Sequence, residues 1–353
     1  MLYPLKFQPV FKDYIWGGRN LEKFGKELPP TGIVAESWEI SCHHNGISVI
    51  NNGEYAGTPL TEFLNRFGRE LVGTALPERY LRKFPLLVKL IDANEQLSVQ
   101  VHPSDGFAKI HEDGELGKNE MWHVLTAAPG AQLVYGLLPG VTREVFVQAL
   151  QEHRLESCLK FVEVSPGDTF NIPAGLVHAI GKGIVLAEIQ QNSDATYRVY
   201  DYNRVDKNGA SRPLHLEKAL QVIDFNAGRL SEKTEGLVAQ VGNSIIKYLV
   251  ANNYFAVELL NISGSLQQSA DGDRFFLYII TEGQGVIGYR KGTVALKRGE
   301  SVLIPAALGE YSLEGNFSAL RGYIPDLEEN IFGPLRKAGF ADAEILEKIS
   351  GLK

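Results

Sequence analysis

The chain has little of what builds small extracellular scaffolds: two cysteines, Cys42 and Cys158, in 353 residues. That is too few for a disulfide framework or a cysteine-based zinc site. No apolar run approaches the roughly 18 residues of a membrane span. There is no basic excess either, because the formal net charge is −7. A general nucleic-acid binder needs a basic face, so that class is set aside, and no membrane partner is expected. An anionic small-molecule substrate remains open, since a site can be locally positive. The first residues, Met1 to Phe7, lack the basic region and apolar core of a signal peptide, and a cytoplasmic location is expected. One further absence is positional: no histidine follows His215. Imidazole-based metal or proton chemistry therefore belongs to the earlier part of the chain.

What is present centres on the run Gly167-Asp-Thr-Phe-Asn-Ile-Pro-Ala-Gly-Leu-Val-His178. Gly167 and Asp168, after Pro166, supply turn chemistry. Thr169 to Ile172 is a short β-prone stretch. Pro173 and Gly175 then reverse the chain and leave His178 at the start of the next strand. A single imidazole beside a turn is more often structural than a ligand, so the other donors must come from elsewhere.

Alternation supplies them. In Leu97-Ser-Val-Gln-Val-His102, the apolar Leu97, Val99 and Val101 face one way, and Ser98, Gln100 and His102 face the other. In Gly117 to Leu125, Lys118, Glu120 and Trp122 share a face. Strands of a small barrel bring such residues into one interior. Gln100, His102, Glu120 and His178 would offer a metal two imidazoles, a carboxylate and an amide oxygen. That set suits zinc with open positions, with manganese, iron and nickel also compatible. Lys89 lies mid-strand in Leu86 to Asp92, and two readings of it are open: it snorkels from an edge strand, or it faces an anion. Glu188 and Arg198 sit mid-strand in Ile184 to Gln190 and Thr196 to Tyr200. Several cations in one cavity would select an anionic substrate, and arginine suits a phosphate. Trp16, with Gly17 and Gly18, either lines a pocket or plugs the barrel. His43, His44 and His215 read as surface or loop residues.

Helices are expected where the apolar period changes to that of a helix. Thr58 would cap one, with Leu60, Phe63, Leu64, Phe67 and Leu71 as its stripe. Thr142 would cap another, running to about Gln151, with Val145, Phe146, Ala149 and Leu150 inward. A helix from His215 to Val222 follows, and a docked one at the C-terminus carries Ile345, Leu346 and Ile349. From about Leu230 the chain begins again as all-β, and it repeats itself: Gly299-Glu-Ser-Val-Leu-Ile-Pro305 matches Gly167 to Pro173 in the spacing of glycine and proline. Five residues after Pro305 stands Glu310, where His178 stands in the first copy. The second half therefore reads as a barrel without a metal.

Seven runs together resemble the type I mannose-6-phosphate isomerases, in their short bacterial branch: Ile15-Trp-Gly-Gly18, Ala35-Glu-Ser-Trp38, Leu97 to Pro103, Gly117 to Trp122, Ile172 to Ala179, Ala187 to Gln191 and Thr196 to Arg198. The resemblance implies a mainly β protein of two cupin (jelly-roll β-barrel) domains, with a few helices added to the first and a C-terminal helical tail. The catalytic domain would cover 1–228 and a degenerate, metal-free one 229–353. It implies one zinc ion per chain on Gln100, His102, Glu120 and His178. It implies catalytic roles for Arg198, Glu188 and Lys118, and substrate contacts from Lys89 and Ser98; Trp16 is the further pocket candidate. The implied reaction interconverts mannose 6-phosphate and fructose 6-phosphate through a cis-enediol. Glu188 is the first choice of proton carrier and Lys118 the alternative. A sugar phosphate is the expected partner, and the state a monomer or homodimer. The rival readings are another cupin metalloenzyme acting on a sugar phosphate and a non-enzymatic sugar-phosphate-binding cupin.

Overall fold

The structure, a computed structural model, describes residues 2–205, 209–226 and 233–352. The division expected between residues 228 and 229 lies outside the described residues. The chain is mainly β, and its first body is a sandwich of two antiparallel sheets. One sheet has five strands in the order Leu159–Glu163, Gln132–Leu137, His178–Ile180, Val99–Val101, Tyr197–Tyr200. The other has six: Thr169–Ile172, Glu120–Ala127, Ile184–Gln191, Leu86–Ala93, Glu36–Ile40, Val10–Lys12. Between them lies a core that includes Ile91, Trp122, Val124 and Phe170 from one sheet and Leu133, Tyr135 and Ile180 from the other.

The six-stranded sheet is covered on both faces, which explains why two of its strands read as nearly continuous apolar runs. Every residue of Leu86–Ala93 and of Ile184–Gln191 is buried. Leu86, Val88 and Leu90 pack away from the sandwich, in a cluster with Phe63 and Leu64 of a helix and with Phe275, Leu277 and Leu320 of the second body. Lys89 and Glu188 belong to the opposite face, toward the interior. Lys89 is therefore on a central strand and 3% exposed. The outer face of the five-stranded sheet, with Val99, Val101, Val177 and Ala179, is covered by Phe146 and Ala149 of the helix Arg143–Gln151 and by Ala219 of Leu216–Val222.

The second body is built on long strands, Ala256–Ala270, Phe276–Tyr289 and Gly309–Tyr323, in a nine-stranded sheet. Phe276–Tyr289 runs through Glu282 and Gly283 as a single strand. The first strand of the chain, Leu5–Gln8, joins this sheet by pairing with Ser301–Ile304. The repeated turn is real: Gly167 and Gly299 adopt the same left-handed conformation, φ 91° and 81°. The strands Thr169–Ile172 and Ser301–Ile304 follow them.

Several local expectations change. The first helix spans Leu60–Phe67 with Pro59, not Thr58, as its N-cap. It stops at Gly68, whose φ is 42°, so Leu71 belongs to a separate short helix, Arg69–Val72. Val145 and Leu346 are exposed rather than inward, because each helix buries a narrower stripe. Ile345 and Ile349 do dock, in the second body's core. His43 is buried, held against Glu115, and not on the surface. His215 is half-buried and bonded to Arg198.

Candidate active site

Two rows of side chains face each other across the sandwich. In the five-stranded sheet, register places Tyr135 beside His178, His178 beside Gln100, and Gln100 beside Arg198. In the six-stranded sheet, Trp38 pairs with Lys89, Lys89 with Glu188, and Glu188 with Trp122, while Gln190 pairs with Glu120. Neighbours along a row come from strands far apart in sequence, and the inward parity of each strand puts them on one side.

The imidazoles converge. His102 Nε2 and His178 Nε2 are 3.1 Å apart. His102 Nε2 lies 3.3 Å from Glu120 Oε1, and His178 Nε2 lies 3.8 Å from Glu120 Oε2. Both rings are anchored from behind: His102 Nδ1 donates to the carbonyl of Ala195 at 2.9 Å and His178 Nδ1 to that of Leu176 at 2.8 Å. That fixes the tautomer, so each Nε2 turns a lone pair to the centre. Burial, with Lys118 next in weight, lowers the pKa of His102; burial and then His102 lower that of His178 to about 3. Both rings are thus neutral. Burial alone would raise Glu120, but Lys118 and His102 outweigh it and hold the group a carboxylate. Neither Glu120 oxygen, though buried, has a hydrogen bond. Lys118 Nζ, 2.9 Å from Glu120 Oε1 and 3.3 Å from His102 Nε2, meets one side of this group, but Glu120 Oε2 and the lone pair of His178 still face one point, an arrangement that a bound cation would complete. Gln100 Nε2 is 3.3 Å from His178 Nε2 and its Oε1 is 3.4 Å from Ser98 Oγ. Turning the amide over would offer Oε1 to the centre and Nε2 to Ser98. The residues present therefore fit a divalent metal.

Beside this cluster a cavity of about 280 Å³ opens. Every other residue singled out in the sequence lines it: Trp16, Lys89, Ser98, Lys118, Glu188 and Arg198. Lys118 Nζ reaches Glu120 Oε1 at 2.9 Å. Lys89 Nζ stands 3.2 Å from Glu188 Oε1 and 3.5 Å from Glu36 Oε2. Burial would lower Lys89, but Glu36 and Glu188 outweigh it and keep it a cation. Glu188 is pushed up to about 7, by burial and by the nearby Glu120. Its Oε2 accepts from Trp122 Nε1 at 2.8 Å, and Oε1 has no hydrogen bond. Arg198 has a buried Nε with no hydrogen bond. Trp16 is both core and wall: it is 3% exposed and lines the cavity. Gly17 permits this, since a Cβ there would stand 2.5 Å from the backbone nitrogen of Ala35.

Comparison with known proteins identifies the family. Residues 4–121 match the family model of the type I phosphomannose isomerase catalytic domain, and 244–324 match that of the mannose-6-phosphate isomerase cupin domain. Mannose-6-phosphate isomerase ManA of Bacillus subtilis is 41% identical over 312 residues, covering 88% of this chain and 96% of its own. The chain belongs to the type I mannose-6-phosphate isomerase family. A Streptococcus mutans mannose-6-phosphate isomerase is 38% identical over 92% of this chain and 99% of its own. The crystal structure of a Bacillus subtilis mannose 6-phosphate isomerase superimposes with a TM-score of 0.84 at 34% identity, covering 91% of this chain and 99% of that one.

The sequence reading missed some of the cavity wall. Glu36 lines it and accepts from Trp38 Nε1 at 2.6 Å; its parity with Trp38 was the available signal. Tyr14, Asp194 and Arg212 also line it. They come from loops, where no period marks direction. A second histidine group, His43, His44 and Glu115, is also close-set. It differs from the first in tautomer. Asn45 N donates to His43 Nδ1 at 3.2 Å, so in the neutral ring Nε2 carries the proton and points it at Glu115. Lys83 already pairs with Glu115 at 3.1 Å. That group is a brace on the loop before Lys118.

Proposed function

We propose that the chain interconverts mannose 6-phosphate and fructose 6-phosphate, with zinc held by Gln100, His102, Glu120 and His178. The observation that carries this reading is the pairing of a metal-shaped donor set with a cavity that also presents Lys89, Lys118 and Arg198. Two neutral imidazoles and one carboxylate leave a bound divalent ion net positive. Zinc supplies Lewis-acid polarisation of the sugar's carbonyl and hydroxyl oxygens. The cations beside it favour a substrate that carries its own negative charge.

The chain's own residues then have separate tasks. Ser98 and Trp16 contact the sugar phosphate. Arg198 with a lysine neutralises the phosphate or the enediolate. Once the sugar ring is open, Glu188 takes the proton from C2 while O1 gains one, forming the cis-enediol. Glu188 then returns its proton to C1 as O2 loses one, leaving the ketose. A carboxylate near pKa 7 suits a group that must both take and give a proton. Lys89 fits an electrostatic role better than a proton-transfer one, being held as a cation between two carboxylates. Lys118 remains the alternative carrier because it stands between the metal cluster and the cavity. A cytoplasmic location goes with this reading, since a sugar-phosphate dianion does not cross a membrane unaided.

The test is a coupled assay of mannose 6-phosphate conversion before chelation, after it, and with zinc restored. Turnover lost to the chelator and regained with zinc is expected. Absence of any chelator-sensitive turnover would sink the reading.

A further inference from the structure

Fourteen residues after Arg198, a second arginine reaches the same cavity. Arg212 is in an irregular segment, yet that segment is pinned to the Arg198 strand. His215 N donates to the carbonyl of Arg198 at 2.8 Å. Arg198 N donates to His215 Nδ1 at 3.1 Å, and Arg198 Nη1 donates to the carbonyl of Pro213 at 2.9 Å. These bonds bracket Arg212 and hold its backbone beside Arg198.

The side chain is aimed as well. Asp201, 5% exposed, accepts from Arg212 Nε on Oδ2 at 2.8 Å and from Arg212 Nη2 on Oδ1. This two-pronged bond fixes the plane of the guanidinium. Arg204 shares the same Asp201 carboxylate, but its other nitrogens go to the carbonyls of Asp201 and Gln96, and it does not line the cavity. Arg212 does line it, and its Nη1 has no hydrogen bond among the described residues. Arg204 and Arg212 thus share one carboxylate, while the Arg198 guanidinium bonds only the Pro213 carbonyl, and among these four groups two positive charges are left uncompensated. The other acid on this wall, Asp194, is bonded to Asn45 and held down, against the effect of burial, by Lys89 and Lys118. Burial, and then the charge of Arg212, pull Arg198 below the ordinary guanidinium range. Like charges held this close, with donors to spare, favour a dianion between them.

We propose that Arg212, locked by Asp201, forms with Arg198 a two-guanidinium clamp for the phosphate of the substrate, and so selects phosphorylated over free sugars. The assignment rests on the sugar-phosphate isomerase reading above. Arg212 acts on binding, not on proton transfer, so its loss separates KM from kcat.

The experiment compares the zinc-loaded wild type with Arg212→Met and Arg212→Lys in mannose 6-phosphate kinetics, with inorganic phosphate as competitive inhibitor. For Arg212→Met, KM and the phosphate inhibition constant should each rise by about tenfold or more, with kcat changed by less than about threefold. Arg212→Lys should fall in between, because it keeps the charge and loses the fork. Values within about twofold of wild type, or a fall in kcat with KM unchanged, overturn the proposal. If the methionine variant does not fold, the lysine variant is judged by the same criteria. The two readings fail separately. A wild type that turns over mannose 6-phosphate alongside an unaltered Arg212→Met removes the clamp and keeps the isomerase. A wild type without turnover removes the isomerase, and a thermal-shift titration with inorganic phosphate then decides the clamp: stabilisation lost in Arg212→Met supports it, and equal stabilisation overturns it.

Discussion

Both barrels hold a buried glutamate and an inward arginine, and they treat them differently. In the second, Glu258 and Arg321 are cross-strand partners, with Arg321 Nε donating to Glu258 Oε2 at 2.7 Å. Tyr323 OH donates to Glu258 Oε1 at 2.7 Å, and Arg321 Nη1 donates to Gln268. Tyr278 and Tyr311 join hydroxyls at 2.8 Å nearby. This polar network is closed on itself. In the first barrel, Glu120 Oε1 and Glu188 Oε1 meet only the ion pairs of Lys118 and Lys89, and Glu120 Oε2 and Arg198 Nε are buried without hydrogen bonds. An interior that leaves such groups open forgoes stability that the second barrel keeps. The difference teaches what the duplicated fold needs and what it does not. The turn at Gly299 closes a barrel as the turn at Gly167 does, yet Glu310 in the position of His178 is exposed. The open polar groups are therefore not a requirement of the architecture.

The sharpest break of this comparison is paired removal of the two corresponding residues. His178→Ala should lower bound metal from one per chain toward none and cut turnover by at least about 10³-fold. Glu310→Ala should change neither; metal analysis beside the coupled assay reads both. If His178→Ala kept its metal, the assignment of the site to the first copy would be lost.

Next in size is the proton carrier. Glu188→Gln should lower kcat by about 10²- to 10⁴-fold with metal content intact. Near-normal turnover in Glu188→Gln, together with its abolition in Lys118→Met, would transfer the role to Lys118.

The pH profile sharpens the same point. Glu188 must be ionised to take a proton, and burial with Glu120 pushes it up to about 7. A cation on Glu120 removes part of that push. The acidic limb of kcat should therefore lie at or below about pH 7 and fall about tenfold per unit as the carboxylate protonates. A kcat flat between about pH 5 and 8 would contradict the role.

The smallest effect on chemistry is expected in the closed network. Arg321→Met leaves Glu258 buried without its charge partner and should cost about 3–5 kcal/mol in urea unfolding. Metal content and kcat of the folded fraction should stay at wild-type values. A matching loss of metal would show that the two interiors are coupled.

Much of this molecule was legible before any coordinates. Strand parity puts Gln100, His102 and Glu120 on shared faces and turn chemistry places His178; the structure sets His102, Glu120 and His178 around one point with Gln100 beside His178. The strand Thr169–Ile172 and the position of His178 at the head of the next one follow from glycine and proline placement alone. Lys89 was ambiguous for a physical reason. A lysine in an apolar run is compatible with an edge or with a buried counter-charge, and its partners, Glu36 and Glu188, are supplied by strands about fifty and one hundred residues away. Arg212 was invisible for the complementary reason. It lies on no periodic element, and what aims it is Asp201 and the backbone around Arg198.

Local chain chemistry, then, determined which residues could share a face, where turns fall, and that only the first copy of the repeat carries imidazoles, because those properties depend on near neighbours in sequence. Tertiary structure alone decided which faces meet. Covering the six-stranded sheet on both sides turned Lys89 and Glu188 into a buried pair, and the loop that pins Arg212 beside Arg198 set its charge against the cavity. Such outcomes depend on Coulomb and packing terms between distant segments, and a one-dimensional pattern does not carry those distances.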